Sequence, residues 1–196
     1  MILWTIQPKE VFDLIQREGV YRCDIHKSGF EDFADMQYSW MVSQMKKRIG
    51  PPPEGVSYPV WAWYQWREDR KKPDLRWERW NCGRKGEKFY RLEIEIPDEQ
   101  VLLSDFDNWH VPLNNGLFTD SDDDEEYDDE EYDKMHKFYE SLSPEEQETM
   151  RTKNWEKVFD IKPGTCTQGP FWELRKEQIR KATMFISAFV YHSRIV

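Results

Sequence analysis

The densest group of chemically reactive side chains lies in residues 103–110, which carry Asp105, Asp107 and His110. Two carboxylates and an imidazole at the end of a strand suit general acid–base catalysis or the binding of a metal ion. Aspartates are also frequent turn formers, which gives the same residues a structural alternative. Strand alternation places Asp105 on the core side, with Asp107 beside it if the strand continues. We therefore expect Asp105 to be a buried structural anchor held by His110, by backbone N–H groups or by Arg91.

The remaining histidines and cysteines show no metal-ligand spacing. The four histidines form no HxH or HExxH pattern, so we predict no zinc or iron site. The three cysteines lie far apart and form no CxxC pair, which argues against a disulfide framework or a zinc knuckle. The sequence also contains no G-x-G-x-x-G, P-loop or G-x-S-x-G pattern, the usual signatures of nucleotide binding and hydrolysis.

Charge is segregated along the chain. The formal net charge is −10 at pH 7, yet residues 120–133 alone hold eleven acidic and no basic side chains, and the rest of the chain is close to neutral. Such a tract is commonly a solvated run. It is also suited to mimicking nucleic acid, to masking a basic surface on a partner, or to neutralising the basic arm of its own chain.

The basic arm, residues 66–88, holds nine Lys or Arg against five acidic residues, with Trp77 and Trp80 interleaved. Alternating cations and indoles are typical of single-strand nucleic-acid binders, in which rings stack on bases and cations hold phosphates. A solvated loop whose tryptophans fold back onto the core fits the same composition. The sequence leaves these two alternatives open.

Apolar periodicity and helix-ending residues define the elements that position these groups. We predict strands over 2–7, 20–23, 58–66, 89–96, 101–106, 170–174 and 182–190, and helices over 9–18, 30–49 and within 125–159. Strands grouped around helices favour an α+β fold over an alternating α/β fold. We expect a mostly antiparallel sheet, single or split in two, with N-terminal helices and an acidic helical excursion.

Length and composition indicate one globular domain over residues 1–196. Aromatic residues make up 15% of the chain, far more than disordered segments carry, so we expect a sizeable aromatic core. No apolar run approaches the ~18–20 residues of a membrane span. The N-terminus lacks the basic and apolar regions of a secretory signal. We therefore expect a cytoplasmic protein with no membrane partner.

Four segments together resemble a known bacterial family. They are LWTIQ at 3–7, YPVWAW at 58–63, LLSDFD at 102–107 with Trp109-His110, and WEKVF at 155–159. The family is catalogued as domain of unknown function 3841. The resemblance covers nearly the whole chain and is weakest at the acidic tract.

A more distant resemblance points to an activity. A strand with Thr5, a helix and then residues 19–22 (GVYR) is similar to the opening of ADP-ribosyltransferase folds of the DNA-modifying toxin type. The resemblance implies that Thr5 and Gln7 contact the nicotinamide half of NAD, that Arg22 reaches a phosphate and that Tyr64 stacks on nicotinamide.

The same resemblance implies a catalytic acid on a late strand. Glu173 is the closest match, polarising the ribose and stabilising an oxocarbenium ion, with Thr5 as the second catalytic residue. If Gln168 is instead aligned with the glutamine that often precedes that acid by two positions, Pro170 takes the acid position and supplies no carboxylate.

Two functions of different classes follow. The first is an NAD-dependent ADP-ribosyltransferase that modifies a nucleic acid or protein, a toxin or phage-defence effector with an antitoxin or other protein partner. The second is a non-catalytic interaction module that docks partners through the basic arm and the acidic tract. A deep cleft lined by Thr5, Tyr64 and Glu173 favours the enzyme, whereas a filled core at that place favours the module.

Overall fold

The computed structural model describes residues 1–27, 34–119 and 129–189. The strands within these ranges are β1 (Ile2–Pro8), β2 (Val20–Arg22), β3 (Val60–Gln65), β4 (Lys88–Glu95), β5 (Ser104–Asp105), β6 (Thr167–Phe171), β7 (Glu173–Arg175) and β8 (Ile179–Ile186). The α-helices are α1 (Lys9–Glu18), α2 (Ser39–Arg48), α3 (Leu75–Glu78), α4 (Phe106–Leu113), α5 (Asp129–Ser141) and α6 (Pro144–Asn154). A π-helical turn, Ala34–Tyr38, leads into α2, and 3-10 turns include Trp155–Phe159 and Lys176–Gln178.

Six of these strands form one antiparallel sheet in the order β5-β6-β3-β1-β4-β8, and β2 pairs with β7 in a separate ribbon. Each recorded strand pairing is antiparallel. The predicted α+β fold is confirmed, and the expected sheet is present together with a small second one.

Alternation along β1 and β4 gives the sheet two different faces. Leu3 lies opposite Ile94 and Thr5 opposite Leu92, so these four side chains share one face, which is buried. Helix α1 covers that face with Ile15, and β7 adds Leu174 from the ribbon. The sheet face that carries Thr5 is therefore a filled core.

The opposite face of the sheet contacts an aromatic core at β3 and presents the charged side chains of β4, Arg91, Glu93 and Glu95. Trp61 of β3 packs against a second buried cluster supplied by α2, α4 and the turn after α6. Within that cluster Trp61 and Trp109 lie 5.5 Å apart between ring centroids, and Trp40 meets Trp155 edge-on at 5.5 Å. The indole N–H of Trp155 donates to the Gly116 carbonyl at 2.8 Å, which satisfies its polar atom.

Local signals set the predicted helix ends. Helix α1 runs over the predicted 9–18 and ends at Gly19, whose φ of +82° is the left-handed conformation that favours glycine. Helix α6 begins after Ser143, where the Ser143 and Glu146 side chains form a reciprocal capping box. These ends depend on residues within one turn of the helix.

Several predicted elements are corrected by the structure. The strand predicted over 101–106 is reduced to β5, because Asp105 caps α4 and the chain turns helical at Phe106. The strand predicted over 170–174 divides at Trp172, because β6 pairs with β3 in the sheet whereas β7 pairs with β2 in the ribbon. The helical region predicted within 125–159 is divided into α5, α6 and the turn Trp155–Phe159.

Part of the acidic tract, residues 120–128, and the end of the last predicted strand, residue 190, lie outside the described residues. The first residues of the predicted second helix, 30–33, also lie outside them. Among the helices that the structure describes, none combines the length and apolar character required to cross a membrane.

Candidate functional site

The basic arm folds over the face of β1 and β4 opposite Thr5 and forms an open cleft of about 570 Å³, here called the arm cleft. Trp4 and Arg91 come from the two strands, and the arm supplies the remaining lining residues: Arg70, Lys71, Lys72, Pro73, Asp74 and Arg76. An N–H of the Arg91 guanidinium donates to the Pro73 carbonyl at 2.6 Å, which ties the arm to the sheet. The lining thus holds five cationic side chains against one carboxylate.

Asp74 organises the arm around that cleft. Its carboxylate caps α3 by accepting from the backbone N–H of Arg76 at 3.0 Å, and it pairs with Arg70 at 2.7 Å and with the Arg76 guanidinium at 2.6 Å. Hydrogen bonds from Arg76 hold the pKa of Asp74 well below its ordinary value. The single carboxylate of the lining is therefore ionised and already occupied by cations.

Two lysines carry the uncompensated charge. Lys71 and Lys72 are exposed, and neither forms an ion pair with any residue that the structure describes. The ammonium of Lys71 lies 5.3 Å from the centroid of the Tyr64 ring. Trp4 is half-buried in the same lining, and its indole N–H donates to Glu93 Oε2 at 3.4 Å. The cleft therefore combines an aromatic surface with cations available to a ligand.

Of the two residues of β1 predicted to contact nicotinamide, Thr5 is buried and Gln7 is half-buried. Thr5 is 2% exposed, and its hydroxyl oxygen accepts a hydrogen bond from Gln7 Nε2 at 2.8 Å. No hydrogen bond among the described residues links this pair to Glu173. Neither the arm cleft nor the second cleft described below is lined by Thr5 or Glu173.

The structure does bring Arg22 and Glu173 together. They lie opposite one another in the β2–β7 ribbon, and Arg22 Nε is 3.1 Å from Glu173 Oε2. Arg175 pairs with the other carboxylate oxygen, Oε1. The side chain of Glu173 is 6% exposed, whereas those of the two arginines are about half exposed. A buried carboxylate is stabilised when it is paired in this way.

Tyr64 lies near the end of β3, half-buried, and lines a second open cleft of about 420 Å³ together with residues 161–165. On the sheet it packs against the core that contains Leu3. A deep cleft lined by Thr5, Tyr64 and Glu173 would favour the enzyme. Neither of these two clefts is lined by all three residues.

The reactive cluster of residues 103–110 separates into different roles. Asp105 is 4% exposed and accepts from the backbone N–H of Asn108 at 2.9 Å, as the N-cap of α4. The expected anchoring by a backbone N–H is confirmed, whereas Arg91 bonds to the arm instead. Asp107 is exposed in the first turn of α4, and His110 Nδ1 lies 2.9 Å from the Phe106 carbonyl oxygen.

The thiols and metal-ligating side chains are dispersed. Within residues 1–27, 34–119 and 129–189, no group of three or more His, Cys, Asp or Glu is arranged to hold a metal ion. Burial raises the pKa of Cys23 to about 11 and that of Cys82 to about 12, so both thiols are protonated at neutral pH.

A family match spans this architecture from the start of β1 into β8. The family described as Domain of unknown function (DUF3841) matches residues 2–180. The chain belongs to this family. No curated protein and no solved structure matches the chain.

For this DUF3841 chain, sequence reasoning missed Trp4 and Arg91 as partners in one cleft. The signal was present in the alternation of the two strands. Trp4 alternates with Thr5, and Arg91 with Leu92, so both face away from the apolar core. Their meeting with residues 70–76 depends on how the arm folds back, which no local pattern specifies.

Proposed function

We propose that this protein binds a nucleotide or a nucleic acid in the arm cleft, that is, an anionic ligand that carries a base. The observation that carries the proposal is the lining: five cationic side chains, two of them without an ion-pair partner among the described residues, around the indole of Trp4. Phosphates attract such cations, and an indole offers a face on which any base can stack.

The contacts within the cleft decide which of its cations are available to a ligand. Arg70 and Arg76 are engaged by Asp74, and Arg91 is engaged by Pro73. Lys71 and Lys72 are the cations available for phosphate oxygens. Lysine acts as a mobile point charge on a flexible stem, which suits a phosphate in an open cleft.

Fluorescence anisotropy with fluorescently labelled ATP tests this proposal. We expect Lys71→Ala/Lys72→Ala to lower the affinity about 2- to 30-fold, because exposed charge contacts contribute roughly 0.2–1 kcal/mol each. The control Lys137→Ala/Lys153→Ala removes two exposed lysines from α5 and α6. Equal affinities of the wild type and both double variants, or equal binding of unphosphorylated labelled adenosine, would contradict the proposal.

We propose as a second function that the chain is an ADP-ribosyltransferase using NAD, a toxin or phage-defence effector that modifies nucleic acid or protein. The supporting observation is that Arg22 and Glu173, the implied phosphate-contacting residue and catalytic acid, are neighbours in the ribbon. Access of NAD to that acid requires Arg22 or Arg175 to release the carboxylate.

Incubation with labelled NAD, protein extract and nucleic acids tests the second function. Label transfer that Glu173→Gln abolishes and that the exposed control Glu99→Gln retains would support it. Thermal melting of both variants and direct titration with NAD separate loss of catalysis from loss of the fold. Neither transfer nor NAD binding at millimolar concentration would exclude the transferase function.

A further inference from the structure

We propose that the ligand of the arm cleft is single-stranded nucleic acid, and that Trp77 and Trp80 stack on consecutive bases outside the cleft. The inference rests on the proposed binding function and names its ligand class. It adds two residues of the same arm that do not line the cleft.

Exposure distinguishes these two indoles from the other tryptophans. The chain has ten tryptophans, all within the described residues, and eight of them are buried or half-buried. Trp77 is 56% exposed and Trp80 54% exposed. An indole buries about 150–250 Å² when it is covered. Two indoles that are more than half exposed on one basic arm therefore form a large apolar surface among charged side chains.

The backbone of the arm holds the two rings in a fixed relation. Trp77 lies in α3, and the backbone N–H of Trp80 donates to the Trp77 carbonyl at 2.9 Å. Trp80 lies in the turn that follows α3, and this hydrogen bond closes the turn between the two tryptophans. The turn that carries Trp80 is held by the backbone N–H of Ala188, which donates to the Arg79 carbonyl at 2.6 Å. The rings are thus presented on an anchored support.

Each exposed ring has a guanidinium beside it. The Arg67 guanidinium carbon lies 5.4 Å from the centroid of Trp77, and that of Arg79 lies 5.8 Å from Trp80. An indole with a cation over one face and more than half its surface in solvent leaves the other face to a base. The guanidinium then lies within reach of the neighbouring phosphate. Alternating rings and cations match the alternating bases and phosphates of a strand.

The same geometry favours single-stranded over double-stranded nucleic acid. Bases in a duplex are already stacked on both faces, and they reach a ring only when they are unpaired. An arm that binds through ring faces therefore favours a single strand over a duplex. A protein partner would instead use the indoles as an apolar patch, with little dependence on aromatic character or on salt.

The experiment compares a labelled oligothymidylate of about 12 nucleotides, within the ~4–16 range of single-strand sites, with a duplex of equal length. We expect the single strand to bind more tightly. Trp77→Ala and Trp80→Ala should each lower its affinity by about 5- to 150-fold. Trp77→Phe/Trp80→Phe should retain most of the binding. The control Met184→Ala/Ile186→Ala removes two other exposed apolar side chains, on β8, and should bind as the wild type does.

Labelled ATP separates this inference from the proposed function. If Trp77→Ala/Trp80→Ala keeps its affinity for ATP and loses affinity for the oligonucleotide, the inference is supported. If Lys71→Ala/Lys72→Ala leaves both ligands unaffected, the proposed function fails. Equal binding of duplex and single strand, unchanged oligonucleotide affinity of the alanine variants, or equal losses in the phenylalanine and alanine variants would overturn the stacking role. Thermal melting establishes that each variant is folded.

Discussion

Replacement of Asp105, which lines neither cleft, by alanine should destabilise the fold. The carboxylate caps α4 by accepting from the Asn108 N–H at 2.9 Å, and the residue is 4% exposed. Loss of an N-cap side chain costs about 0.5–2 kcal/mol. Because burial hinders water from reaching the Asn108 N–H, we expect the upper part of that range, about 2 kcal/mol. For a chain of this length, that loss lowers Tm by about 4–8 °C.

Urea and thermal denaturation of a matched series measure the effect. Asp105→Asn should lose less than half as much, because asparagine is as good an N-cap as aspartate. Asp107→Ala is the control, since that carboxylate is exposed in the same first turn and contributes about 0.3–1 kcal/mol through the helix dipole. If Asp105→Ala unfolds like Asp107→Ala, the capping argument is refuted. If Asp105→Ala melts like the wild type but abolishes an activity, Asp105 has a catalytic role.

Two other perturbations test the packing. Gly169→Ala should destabilise the sheet by about 1–3 kcal/mol, because a Cβ on this β6 residue would lie 2.4 Å from Val101 Cγ1; a variant that melts like the wild type in a thermal scan would contradict this. Burial raises the pKa of Cys82 from 9.0 to about 12, so a variant with Cys82 as its single thiol should react much more slowly with a disulfide reagent at pH 8 when folded than in urea. The folded state holds this proton while the unfolded state releases it, so stability should fall as pH rises from about 9 toward 12. Equal labelling rates with and without urea would show that the thiol is accessible and ionised.

Features that depend on neighbours in the chain could be predicted from the sequence. The limits of α1 follow from its apolar spacing and from Gly19, which adopts the left-handed conformation that ends the helix. The start of α6 follows from Ser143, and the buried face of β4 from its strict alternation. A hydrogen bond from a backbone N–H to Asp105 was among the predicted alternatives, because its donor lies in the next turn. Each of these is a contact across a few residues, whose energy is specified locally.

Tertiary structure alone decided which of the local features meet. Arg22 and Glu173 are 151 residues apart and come together because β2 pairs with β7 in the separate ribbon. Trp4 and Lys71 line one cleft because the arm folds back over β1 and β4. The exposure of Trp77 is likewise decided by how the arm folds. The amino-acid composition of the arm is equally consistent with a buried ring. Pairings of this kind depend on long-range closure and on competition between alternative partners, so no window of sequence contains the information that selects them.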